Sequence, residues 1–136
     1  MSDIAQQGPL AILVVDDSAT IRRSADLFLR QAGHRVVLAV DGFDALAVIA
    51  DSNPDLVFCD ILMPALDGYQ TCALIKKNAR FHATPVVMLS SKDGLFDRAR
   101  AAVVGATAFM TKPFSEERLL EAVNTHAKGR PTAVES

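Results

Sequence analysis

Two adjacent acids, Asp16 and Asp17, close one short apolar run of this chain, Asp60 closes another, Ser90 a third, and Thr111 with Lys112 a fourth. Brought together, three carboxylates, a hydroxyl and an ammonium have a definite chemistry. The carboxylates repel one another, and a cation offsets that cost. Hard oxygen ligands with space for water suit Mg2+, which binds through a few carboxylates together with phosphate oxygens. A carboxylate nucleophile beside such a metal and a lysine is suited to accept a phosphoryl group, because metal and ammonium meet the charge on the transferred oxygens. Singly, each residue has an ordinary reading: an acid pair opening a helix, a turn aspartate before Pro64, a capping serine, a surface lysine. Joint placement at four strand ends is what points to one site.

That placement depends on the elements. The runs 11–16, 35–40, 55–60, 85–90 and 108–111 are short and rich in Val, Ile, Leu or Phe. The first and third are almost continuously apolar, the pattern of strands covered on both faces. Between the runs lie helical periodicities. Ile21, Ala25, Phe28, Leu29 and Ala32 form one stripe, with Ser18 as the expected cap and Gly33 as the expected stop. The last helix is expected to start after Ser115, with Glu116 and Glu117 in its first turn and Leu119, Leu120 and Val123 turned inward. Five strands alternating with five helices predict an α/β, doubly wound, five-stranded parallel sheet of flavodoxin-like order 2-1-3-4-5. In such sheets ligands bind beyond the carboxyl ends of the strands, where these polar residues fall.

Composition narrows the rest. The chain has 136 residues, half of them hydrophobic, with a formal net charge of −2, which suits one globular domain. There is no surplus of Lys and Arg to track a nucleic-acid backbone, and no apolar run long enough to cross a bilayer. The N-terminus lacks the basic start and apolar stretch of a secretion signal, so a cytoplasmic location is expected. Cys59 and Cys72 match no metal or redox spacing and read as small buried hydrophobes. Residues 1–9 read as a flexible leader, 10–127 as the domain, and 128–136 as a C-terminal tail.

Four segments carry a resemblance: Val14-Val15-Asp16-Asp17-Ser18, Asp60-Ile61-Leu62-Met63-Pro64-Ala65-Leu66-Asp67-Gly68, Met88-Leu89-Ser90-Ser91 and Thr111-Lys112-Pro113-Phe114. They resemble the marks of the receiver domain of two-component response regulators, over roughly residues 10–127. The resemblance implies that Asp60 takes a phosphoryl group from a phosphohistidine on a histidine kinase or phosphotransfer domain. It implies Mg2+ held by Asp17 and Asp60 directly, by Asp16 largely through water, and by the backbone carbonyl of Leu62. Lys112 would contact the acyl phosphate and precede a cis bond to Pro113. Ser90 would bond a phosphoryl oxygen, and Phe109 would be the aromatic that turns inward with it. The family often has Tyr there, so Phe109 offers burial of the ring but no hydroxyl. Leu62 and Lys92 stand where the family tunes the phosphorylated lifetime, and their character predicts a long one.

The segments around 67–78 and 88–99 are similar to those of a subgroup, the PilG-type stand-alone receivers of pilus chemosensory systems that control twitching motility. Such a protein acts by contact with a downstream effector protein rather than as an enzyme, with no nucleic acid and no membrane insertion. Arg98, Phe109 and Thr111 would contribute to its output face. Arg22 and Arg23 read as the solvated side of the first helix, with partner docking as the family alternative. Three other readings compete. A haloacid dehalogenase-type phosphohydrolase has its nucleophile on the first strand in an Asp-x-Asp pattern, a flavodoxin needs a phosphate loop there, and a degenerate receiver would lack part of the acidic set.

Overall fold

The computed structural model describes residues 8–91 and 95–127. Five strands alternate with five helices: β1 (Ala11–Val15), α1 (Ala19–Gln31), β2 (Arg35–Ala39), α2 (Gly42–Ser52), β3 (Leu56–Asp60), α3 (Gly68–Lys77), β4 (Val86–Ser90), α4 (Leu95–Val103), β5 (Ala108–Thr111) and α5 (Glu116–His126). The sheet order is β2-β1-β3-β4-β5 and every pairing is parallel, as expected.

Every residue of β1, β3 and β4 is buried, whereas the edge strands β2 and β5 are only partly so. Alternation along the strands divides the core in two. Leu13, Val15, Val57, Cys59 and Met88 pack with Ala45 and Ile49 of α2, Cys72 and Ile75 of α3 and Ala101 of α4. Ile12, Val14, Phe58, Val87 and Leu89 pack on the opposite face with Ala25 and Leu29 of α1 and Leu119 and Val123 of α5. Each fully buried aliphatic or aromatic side chain contributes about 1.5–3 kcal/mol. The three central strands hold most of these, so their carboxyl ends are the most firmly anchored loop origins in the fold.

The helix boundaries follow local chemistry. Ser18, Asp41, Asp67 and Ser115 each accept an amide bond from the first turn of the helix that follows, and Asp67 with Gln70 completes a reciprocal capping box. The α1 stripe buries Ala25 and Leu29, while Ile21 and Phe28 are half-buried. Ala32 departs from expectation: it is exposed, because it is the C-cap where the stripe already turns away from the sheet. Gly33 then takes φ +94°, and the amides of Gly33 and His34 close back onto Arg30 and Leu29, a Schellman ending. Among the described residues no helix is long and apolar enough to cross a membrane. Cys59 and Cys72 are both buried free thiols; burial pushes the Cys59 thiol well up and the Cys72 thiol up to about 11.

Candidate functional site

The carboxyl ends of β1, β3, β4 and β5 are neighbours, which brings the scattered polar residues into one crevice. Asp60 is the last residue of β3 and is 3% exposed. Asp16 follows β1, is fully buried, and still donates its amide to the Ala39 carbonyl at 3.1 Å, extending the ladder by one bond. Asp17, next along, is exposed and forms the mouth. Ser90 ends β4 and is buried; its carbonyl accepts the Lys112 amide at 2.7 Å, tying the loop after β5 to β4. The bond from Lys112 to Pro113 is cis.

Lys112 is the hub. Its ammonium lies 3.1 Å from Asp16 Oδ2 and 3.0 Å from Asp60 Oδ1, with only 14% of the side chain exposed. Burial alone lowers a lysine pKa, but the hydrogen bonds it donates to Asp60 and Asp16 outweigh it and hold this one above the ordinary value. Asp60 moves in the unfavourable sense. Burial pushes its carboxyl from the ordinary 3.8 up to about 6, opposed by the Lys112 hydrogen bond and reinforced by the charge of Asp16. Carboxylate oxygens of Asp16, Asp17 and Asp60 all lie within 4.8 Å of one another. Three acids against one ammonium leave two negative charges uncompensated. A hard divalent cation matches both that charge and the all-oxygen donor set, so these residues fit a metal.

The remaining predicted residues fall around this centre. Leu62 lies just beyond Asp60 and is 65% exposed at the mouth. Lys92 lies outside the described residues, as do 1–7 and 128–136. Phe109 is half-buried on β5, and the Arg98 guanidinium of α4 sits 4.7 Å from its ring centroid. These two residues line a groove between α4 and β5 with Ala101, Ala106 and Thr107. Arg22 does not behave as a solvated side chain: it is half-buried and donates to the Asp16 carbonyl at 2.6 Å. Its position held a signal, since it stands one turn after the cap Ser18 and helical side chains lean toward the helix start. Tyr69 is a second surprise. Its hydroxyl reaches Asp97 Oδ1 on α4 at 3.2 Å, and Arg100 stacks 4.4 Å from its ring centroid. Nothing in the spacing of Tyr69 and Asp97 announces that contact.

The response regulator receiver domain matches residues 12–124. Protein PilG of Pseudomonas aeruginosa is 58% identical over 121 residues, covering 89% of this chain and 90% of that protein. Protein PilH of the same organism is 37% identical over 118 residues, covering 87% of this chain and 98% of its own. Among solved structures, the Vibrio cholerae chemotaxis protein CheY4 superposes with a TM-score of 0.80 at 32% identity, over 82% of this chain and 93% of that one. The receiver domain of Francisella response regulator 1452 superposes with a TM-score of 0.76 at 32% identity, over 83% and 92%. Profile, relatives and fold converge on strands whose ends carry the acids and the lysine: this chain belongs to the response regulator receiver domain family.

Proposed function

We propose that the protein is a phosphoacceptor switch in which Asp60 takes a phosphoryl group from a phosphohistidine of a histidine kinase or phosphotransfer domain. The observation that carries this reading is Lys112 bridging Asp60 and Asp16 while two negative charges stay unmatched beside it. Asp16, Asp17, Asp60 and the backbone carbonyl of Leu62 would hold Mg2+, which supplies charge neutralisation for the transferred oxygens when bound. An Asp60 carboxylate oxygen attacks phosphorus, the P–N bond of the donor imidazole breaks, and the imidazole leaves with the bonding pair. Lys112 meets a phosphoryl oxygen, and the Ser90 hydroxyl donates a hydrogen bond to a phosphoryl oxygen from the β4 side. Inward movement of Phe109 then reports the event on the α4–β5 face. The receiver unit in this reading is 10–127, flanked by a leader, 1–9, and a tail, 128–136.

Output by contact with an effector protein in a pilus chemosensory system, in the cytoplasm, is supported by the 58% identity to PilG across nearly the whole of both chains. The test is incubation with Mg2+ and acetyl phosphate or a phosphorylated kinase. One phosphoryl adduct is expected by mass, absent from Asp60→Asn, with no sustained turnover of small phosphomonoesters. No adduct from either donor, or steady phosphatase turnover, would sink the reading.

A related expectation concerns lifetime. Leu62 is apolar and lies at the mouth, where it hinders an attacking water. Leu62→Asn and Lys92→Glu are each expected to speed loss of the phosphoryl group severalfold. Unchanged decay rates in both variants would remove these side chains from the account.

A further inference from the structure

Asp16 is held at every polar atom. The Ser18 amide donates to its Oδ1 at 2.9 Å and Lys112 to its Oδ2 at 3.1 Å; its own amide reaches Ala39, and its carbonyl accepts Arg22 Nη1 at 2.6 Å. Asp17 is the opposite case. It is exposed, and among the described residues no hydrogen bond or ion pair holds its side chain. Its carboxylate can turn about its own side-chain bonds, so what the fold fixes is the place of the Asp17 Cα and Cβ, through the peptide that joins it to Asp16. Because a peptide is planar, fixing the Asp16 carbonyl oxygen fixes the Asp17 amide on the other side of the bond. Asp16 is fully buried, so its carbonyl depends on a protein donor rather than on bulk water. Arg22 is that donor, and its guanidinium reaches back from the second turn of α1.

We propose that Arg22 is a positioning residue for the cation site: by gripping the peptide between Asp16 and Asp17 it places Asp17 where its carboxylate reaches Mg2+. This rests on the Mg2+ reading above. The sign of the effect on Mg2+ binding separates positioning from simple electrostatics. A guanidinium beside an acidic site repels a cation, so if Arg22 acted through charge alone, its removal would tighten Mg2+ binding. If it acts by placing Asp17, removal loosens binding despite the relief of repulsion.

The experiment is calorimetric Mg2+ titration of the full chain, wild type against Arg22→Met, Arg22→Lys and Arg23→Met, with thermal unfolding in EDTA measured alongside. Arg22→Met is expected to weaken Mg2+ binding about five- to tenfold, the scale of one lost hydrogen bond to an ionic group's support. Arg22→Lys keeps a donor and the charge and is expected to recover most of the affinity. Arg23→Met removes the same charge from an exposed neighbour and is expected to leave affinity unchanged or slightly tighter. Affinity of Arg22→Met equal to or tighter than wild type overturns the proposal, and so does a lowered melting temperature with unchanged affinity. Should Arg22→Met fail to fold, Arg22→Gln, which retains a polar head too short to reach Asp16, takes its place with the same expected loss. A wild type that binds no Mg2+ instead overturns the reading of the site itself.

Discussion

Replacing Lys112 by methionine is expected to lower the stability of the metal-free protein at pH 7.5 by about 3 kcal/mol, roughly 10 °C in melting temperature, whereas Asp60→Asn is expected to raise it. The two residues share one 3.0 Å ion pair, yet the signs differ. Lys112 has a raised pKa, so its contribution is fully present below its unfolded value of 10.5 and is lost only as pH rises through the higher folded value. At pH 7.5 its removal strands the buried Asp16 carboxylate and the nearly buried Asp60 without a cation. Asp60 also has a raised pKa and obeys the same rule, but its window lies below pH 7.5 rather than above it. Its contribution favours the fold below 3.8 and is lost as pH climbs through about 6, so at pH 7.5 its ionised form is a cost. A shift of that size corresponds to about 3 kcal/mol at 1.36 kcal/mol per unit, and solvent reaching the crevice past exposed Asp17 reduces it to about 1–2 kcal/mol.

Urea unfolding with EDTA across pH 4–8 measures both effects. Wild-type stability should fall between pH 4 and 7 more steeply than that of Asp60→Asn. Mg2+ should then stabilise the wild type more than Asp60→Asn, which lacks one of the three acids, and should stabilise Lys112→Met at least as much as the wild type, because that variant keeps the acid set and loses the competing ammonium. Equal pH slopes in wild type and Asp60→Asn, or the same sign of change in both variants, would show that the uncompensated charge is not what shapes the site.

How much of this centre could be read beforehand depends on the kind of residue. Strands β1 and β3 were plain, since a strand buried on both faces must be apolar throughout, and the first polar residue then marks its end. That is why Asp16 and Asp60 could be located before their neighbours were known. The expected runs 11–16 and 35–40 each went one residue past the strand. For Asp16 the cause is physical, as its amide still bonds across to Ala39. Arg22 and Tyr69 were hidden for a different reason. Each acts through a long side chain whose target lies on another element, Arg22 on the strand end and Tyr69 on α4. Such reach is fixed by how each helix is rotated and seated, which local periodicity does not specify. The Arg22 contact had a partial signal in its spacing from Ser18; the Tyr69 contact had none.

Gly68→Ala is expected to cost about 2–3 kcal/mol and, unlike an equally destabilising change elsewhere, to slow phosphorylation of Asp60. Alanine is the better helix former by about 1 kcal/mol, so propensity alone predicts the reverse. Space decides against it. A Cβ on Gly68 would stand 2.1 Å from the Asp60 carbonyl oxygen and 2.7 Å from Ile61 Cα, both backbone atoms that cannot rotate away. The Gly68 amide also donates to the Ile61 carbonyl at 2.8 Å, so the first turn of α3 is bonded to the strand end it would collide with. Relief requires either lifting α3, which carries Tyr69 and its contacts to Asp97 and Arg100, or turning the peptide of the acceptor itself. Gly33→Ala is the matched control. Gly33 has φ +94° with nothing near the added carbon, so its substitution costs about 1–2 kcal/mol through backbone strain at the far end of α1. Both variants keep most of a typical domain's 5–15 kcal/mol and remain folded. Stopped-flow phosphorylation by acetyl phosphate at saturating Mg2+ should therefore be slow in Gly68→Ala and normal in Gly33→Ala. Equal rates in the two would mean that the clash is absorbed by the helix and never reaches Asp60.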